Sequence, residues 1–295
     1  MQGPGSGGGS KSFGLLKGKG DQPEPEVFSN EDVKSWLDRS ISVQETNSNI
    51  CMVLYGDDGV GKSGAVLDCR TDEEITEGRK VIVIDIDASC APLKAKFWKD
   101  DDNVIILDPT TLQADGTIDY VTTYNKLLAL IRYITDEQDE MNLQAVVLDG
   151  LDSLLKMCEY VMRYEDLKVD PDTQIKDQWQ WTRRNRRYNT VVILMKHLRC
   201  DRYFTTHLKE IKEYRGGQLS TKEKVPDWEK QTPGIMFQRV LLTRTSSEGV
   251  TTFTAKIEKA KGALELEGNE YLVAEVQKGK ATWNGLKELY KDIKG

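Results

Sequence analysis

Only two histidines and five scattered cysteines (Cys51, Cys69, Cys90, Cys158 and Cys200) are present as nitrogen or sulfur metal ligands. An odd number of widely spaced thiols gives neither a disulfide framework nor a Cys-x-x-Cys motif. With only His197 and His207 to complete a site, structural zinc is not expected. No apolar run approaches the ~20 residues that a membrane helix needs, so no membrane partner is expected. The first residues carry neither an apolar h-region nor an Arg-rich amphipathic stretch; secretory and transit-peptide signatures are absent, and a cytoplasmic protein is expected. Positive charge is in short supply too, with 41 Lys and Arg against 48 Asp and Glu, a formal net charge of −7. Any nucleic-acid contact therefore has to come from a local basic surface.

A chain of 295 residues has room for one sizeable α/β domain with appendages. Residues 1–26 are rich in Gly, Ser, Pro and Lys and poor in large apolar groups, so they read as a flexible tail. Ser29-Asn30-Glu31-Asp32 is an N-cap signal, and Val33, Trp36 and Leu37 follow at helical spacing, which predicts a short lead-in helix. Short β-type runs occupy residues 50–55, 81–86, 104–107 and 145–148. Helical patterns begin at Lys62 and cover 91–98 and 120–135, so the alternation predicts a parallel sheet with crossover helices. A helix is predicted over 176–199, a strand over 202–206 and a polar loop over 208–238. A hairpin at the sheet edge is predicted from 239–245 and 251–257, joined by Ser246-Ser247-Glu248-Gly249, and a closing helix over 283–294.

The chemistry concentrates in Gly56-Asp57-Asp58-Gly59-Val60-Gly61-Lys62-Ser63, followed by Gly64. This is a complete phosphate-binding P-loop, set between an apolar strand and a helix start as that chemistry requires. The glycines let successive N–H groups face a phosphate, Lys62 reaches the β- and γ-phosphates, and Ser63 ligates Mg²⁺. The expected cofactors are therefore ATP and Mg²⁺. Asp149, ending Ala145-Val146-Val147-Leu148, is the expected aspartate on the magnesium side, with Asp152 as a helix cap. Asp85 and Asp87 end the strand over 81–86, and either could polarise an attacking water; Asp87, further past the strand end, is favoured.

Four pieces in order, GDDGVGKSG, VIVIDIDAS, AVVLDGLDSLL and RYFTTHLKE with a later KIEKAKG, make the chain resemble the RecA/RadA-type recombinase ATPases. It resembles in particular the small single-domain phage and archaeal proteins that assist single-strand annealing. The likeness spans residues 49–262. It implies an α/β fold with a RecA-like core over 27–279, a mostly parallel sheet flanked by helices with an antiparallel hairpin at the edge, and a C-terminal helix over 280–295. It also implies ATP hydrolysis stimulated by single-stranded DNA, in recombination, annealing or repair, by a homo-oligomeric ring or filament with ATP near the subunit interface. In that pattern Asp87 matches the water-activating acid, although the family's founding member has a glutamate there. Thr206 or His207 matches the polar sensor, with His207 preferred. Lys259 and Lys261 match cations that reach a neighbour's nucleotide.

The likeness places the DNA-contacting loop at 208–238, where Lys209, Lys212, Arg215, Lys222, Lys224 and Lys230 alternate with Glu210, Glu213, Glu223, Asp227 and Glu229 around Gly216, Gly217 and Trp228. Arg183, Arg184, Arg186 and Arg187 beside Trp179 and Trp181 form a second basic aromatic patch. The runner-up is a nucleotide-switched regulatory ATPase of the KaiC kind without DNA binding, which the acidic balance favours. A small-molecule kinase comes third, for lack of a lid with clustered arginines.

Overall fold

The structure, a computed structural model, describes residues 29, 31, 34–35 and 50–294 except 68, 171, 216 and 217. The flexible tail over 1–26 and most of the predicted lead-in helix lie outside the described residues; Glu31, Lys34 and Ser35 are helical.

From residue 50 the strands are β1 (Cys51–Gly56), β2 (Lys80–Asp85), β3 (Val104–Leu107), β4 (Leu143–Asp149), β5 (Asp201–Arg215), β6 (Gln218–Pro226), β7 (Gln238–Ser247), β8 (Val250–Ala260), β9 (Glu270–Gln277) and β10 (Lys280–Trp283). The helices are α1 (Lys62–Leu67), α2 (Asp72–Thr76), α3 (Cys90–Phe97), α4 (Tyr120–Glu137), α5 (Leu151–Val161), α6 (Trp181–Lys196), α7 (Thr232–Ile235) and α8 (Lys287–Lys294). The main sheet runs β10-β9-β8-β7-β1-β5-β4-β2-β3, with β6 paired to β5 off this path. From β7 to β3 every pairing is parallel, whereas β8, β9 and β10 are antiparallel. The predicted α/β architecture is thus present.

β1 and β4 are buried along their whole length because both faces of the sheet are covered, which is why they read as unbroken apolar runs. Alternate residues feed two cores. Met52, Leu54, Val81, Val83 and Val147 pack toward α1, while Val53, Ile82, Ile84, Leu148 and Phe204 pack toward α4, α5 and α6.

Four expectations are corrected. Residues 208–215 and 218–226 form no loop but a two-stranded ribbon, β5 paired with β6 in antiparallel register from Leu208↔Pro226 to Arg215↔Gln218. Leu208, Ile211 and Tyr214 recur every third residue among charges, so the period of two that marks a strand was absent. The β7–β8 hairpin turns on two residues, Glu248 (φ 51) and Gly249 (φ 80), with Ser246 and Ser247 inside the pairing. Beyond it lies a second hairpin, β9–β10, with the same turn at Lys278 (φ 50) and Gly279 (φ 76). Trp283 consequently ends a strand, and α8 starts only at Lys287. The predicted helix over 176–199 is shorter, a 3₁₀ turn at Gln178–Gln180 followed by α6.

Candidate functional site

Register brings the polar strand ends to one edge. Leu54 pairs with Thr205, Thr205 with Asp149, and Asp149 with Asp85; further along, Gly56 pairs with His207. The C-terminal edge of a parallel sheet is where ligands bind in open α/β folds. The P-loop leaves β1 there, turning at Gly59 (φ 69) and Gly61 (φ 88), a backbone region in which a Cβ is unfavourable. Val60 anchors the loop by packing into the core.

Lys62 is buried, and its Nζ donates to the carbonyls of Gly56 (3.2 Å) and Asp57 (2.9 Å). Burial pulls its ammonium pKa down, against the attraction of Asp58, Asp149, Asp152 and Asp87. Among the described residues no carboxylate forms an ion pair with it. A buried cation bonded to backbone oxygens alone fits an anionic ligand such as a triphosphate. The Ser63 hydroxyl lies 2.8 Å from that of Ser89, which donates to Asp149 Oδ2 at 2.7 Å. Thr205 donates to the other oxygen of Asp149, and the Cys90 thiol lies 3.0 Å from Oδ2. Oxygen donors of this hard type suit Mg²⁺.

The two acids after β2 separate by partner. Asp85 accepts the backbone N–H groups of Ser89 (3.0 Å) and Cys90 (2.9 Å), so it ties down the start of α3. Asp87 packs against Gly150, which leaves no space there for a side chain, and lines the cavity. Burial raises its carboxyl to about 6, with Ser153 opposing. His207 donates from Nδ1 to Asp152 Oδ2 (3.0 Å) and lies 3.2 Å from Asp58 Oδ1 through Nε2. The Asp152 hydrogen bond raises the His207 pKa; burial pushes the Asp152 carboxyl up, but His207 outweighs it and the net direction is down. Asp152 is therefore no cap: Gly150 holds that position, and the Asp152 carboxylate orients the histidine. Ligand atoms of Asp87, Asp152 and His207 lie within 4.8 Å of one another.

These groups converge on a cavity of about 510 Å³, whose polar side is made by Asp58, Gly59, Gly61, Lys62, Ser63, Gly64, Asp87, Ser89, Asp149 and His207 and whose apolar side is made by Leu93, Phe253 and Trp283. Asp57 points away from it, its carboxylate held by Lys224 of the ribbon at 2.7 Å. Lys259 and Lys261 are not brought here. Arg239, near the start of β7, pairs with Lys259, whereas Arg244, further along β7, pairs with Phe253 beside the P-loop, so the two lysines sit at the opposite edge of the sheet. Lys259 donates to the carbonyls of Pro233 (2.6 Å) and Met236 (3.2 Å), and Lys261 to that of Gly234 (3.1 Å).

In the DNA-contact region, Trp228 packs edge-on against Tyr55 (5.8 Å) and so is no free stacking platform. Lys209 is paired with Asp227, and Lys224 with Asp57. In the second patch, Arg187 is committed to Glu165 and Asp166, and Arg184 lies over Trp181. Trp179 is exposed, with Arg183 over its ring at 5.4 Å. Both residues line a cleft of about 760 Å³ that Arg186 also lines. Sequence reasoning missed Ser89, Phe253, Trp283 and the orienting role of Asp152. Only Asp152, three residues past Asp149 and so in the first turn of the following helix, left a local signal.

Residues 48–240 match a family described as an AAA domain. No curated protein matches the chain. Among solved structures, it is similar to a KaiC-like protein from the hyperthermophilic archaeon Pyrococcus horikoshii OT3, with a TM-score of 0.45 and 13% identity over 79% of this chain and 88% of that one.

Proposed function

The chain belongs to the AAA domain family, and from that premise we propose that it binds and hydrolyses Mg-ATP in this cavity and couples turnover to single-stranded DNA as a ring or filament. The observation that carries the nucleotide reading is the buried Lys62 ammonium beside the Ser63, Ser89 and Asp149 chain. The P-loop N–H groups and Lys62 hold the phosphates. Ser63 and Asp149 would hold Mg²⁺, which would supply charge neutralisation on the β- and γ-phosphates. Asp87, ionised at neutral pH with its carboxyl at about 6, accepts a hydrogen bond from the attacking water. His207, fixed by Asp152, senses the γ-phosphate and passes its state along β5.

Support for the DNA partner is local. β5 runs from the site straight into the lysine-bearing ribbon, Lys224 ties that ribbon to the P-loop, and Trp179, Arg183 and Arg186 offer a stacking face with cations. In an assembly, Lys261 reaches a neighbour's nucleotide from the far sheet edge, and Lys261→Ala slows turnover only in assembled protein. The test is ATP turnover at fixed salt with and without single-stranded DNA. Stimulation is expected, with an affinity that falls with salt at a log–log slope of roughly −0.7 per phosphate contacted.

A second reading, a nucleotide-switched partner protein of the regulatory kind, draws on the pairing of Lys209 and Lys224 with acids, which leaves the ribbon close to neutral. Turnover indifferent to DNA selects it.

A further inference from the structure

The apolar wall of the cavity is made by two aromatic residues that belong to no phosphate-binding motif. Phe253 stands on β8 with its ring against Gly61, 3.2 Å from the point a Cβ would occupy. Trp283, the last residue of β10, covers Gly64 so closely that no side chain fits there. The two rings stack with centroids 6.4 Å apart and planes at 21°. Trp283 is wedged from behind by Phe97 at 5.8 Å and Trp98 at 5.6 Å, so its indole cannot swing freely. The guanidinium of Arg244 lies over Phe253 at 5.8 Å.

The position of this wall is informative. Lys62 and Ser63 serve the outer phosphates, so a nucleotide leaves the loop past Gly64, and the side chains it meets there are Trp283 and Phe253.

Resting on the reading of the cavity as a nucleotide site, we propose that Phe253 and Trp283 form its base and ribose subsite. The rings supply the apolar face along which a purine lies. The wall comes from the two C-terminal hairpins, so nucleotide recognition joins the first and last strands of the domain.

The test compares, on the full chain with Mg²⁺, equilibrium affinities for ATP and for inorganic tripolyphosphate. The proteins are the wild type, Phe253→Leu, Trp283→Leu, Trp283→Phe and Lys62→Ala, with circular dichroism to confirm folding. If Trp283→Leu does not fold, Phe253→Leu carries the comparison. Wild type is expected to bind ATP more tightly than tripolyphosphate. Phe253→Leu and Trp283→Leu should weaken ATP roughly fivefold or more, the scale of base stacking on an aromatic ring, and Trp283→Phe, which keeps a smaller ring, should weaken it less, while tripolyphosphate affinity stays unchanged. Lys62→Ala should weaken both. Quenching of tryptophan fluorescence by ATP, and not by tripolyphosphate, should be lost in Trp283→Phe. Aromatic variants that keep the wild-type ratio of the two affinities overturn the subsite and leave the phosphate site standing; a wild type that binds neither ligand overturns the nucleotide reading itself.

Discussion

Within the single strand β5, residues 201–206 are buried, while residues 209–212 of the same strand are exposed on one half of the ribbon. The first half is flanked by β1 and β4 and lies between two cores; the second is paired only with β6. The inner half owes its shape to burial and the outer half to hydrogen bonds between two charged strands, so the two differ in stability while sharing one backbone. His207 sits at the changeover, bonded to Asp152 and facing Asp58 of the P-loop. On the proposed reading, a change in bound phosphates would have a short covalent route to the outer half.

The sharpest way to break this comparison is a pair of truncations on the one strand. Phe204→Ala removes a fully buried ring and should cost about 3–5 kcal/mol in urea unfolding, whereas Ile211→Ala, on the exposed ribbon, should stay within about 0.5 kcal/mol. Equal losses would mean that the ribbon is part of the core after all.

A smaller effect is expected from Asp87. Burial raises its folded carboxyl to about 6, above its unfolded value, so the native state binds the extra proton and stability falls as pH rises through the window from about 4 to 6. In nucleotide-free protein, Asp87→Asn should therefore be the more stable form above pH 7, by about 3 kcal/mol, with the advantage gone below pH 4. Turnover should move the other way, lost in the variant and falling in wild type as pH drops below about 6. A variant no more stable at pH 8 than wild type would show that Asp87 carries no burial penalty.

The smallest effect is expected at the contact between ribbon and loop. Lys224→Ala should leave the unfolding midpoint unchanged, since both partners of the Asp57 pair are exposed, and should alter only the salt dependence of turnover. A large loss of stability would make the contact structural.

The same contrast explains what the sequence discloses. β1, β2 and β4 were legible because burial on both faces writes an unbroken apolar run. The P-loop and Asp149 were legible because their chemistry is local: a loop of fixed spacing, and an acid at the end of such a run. The ribbon was not, since a strand exposed on both sides needs no alternation. Asp152 was mistaken for a cap because its partner His207 is 55 residues away. Phe253 and Trp283 reach Gly61 and Gly64 only through sheet register, and no spacing in the chain records that approach. Asp87 is favoured over Asp85 in the sequence only by its place past the strand end; the backbone N–H groups of α3 that occupy Asp85 are a contact no spacing records.

The measurement that tests the account most directly is Mg²⁺-dependent ATP hydrolysis by wild type and Lys62→Ala side by side, with circular dichroism on both. The account predicts turnover in the wild type that requires Mg²⁺ and disappears in a variant that remains folded; hydrolysis that persists at the wild-type rate without the Lys62 ammonium would contradict it.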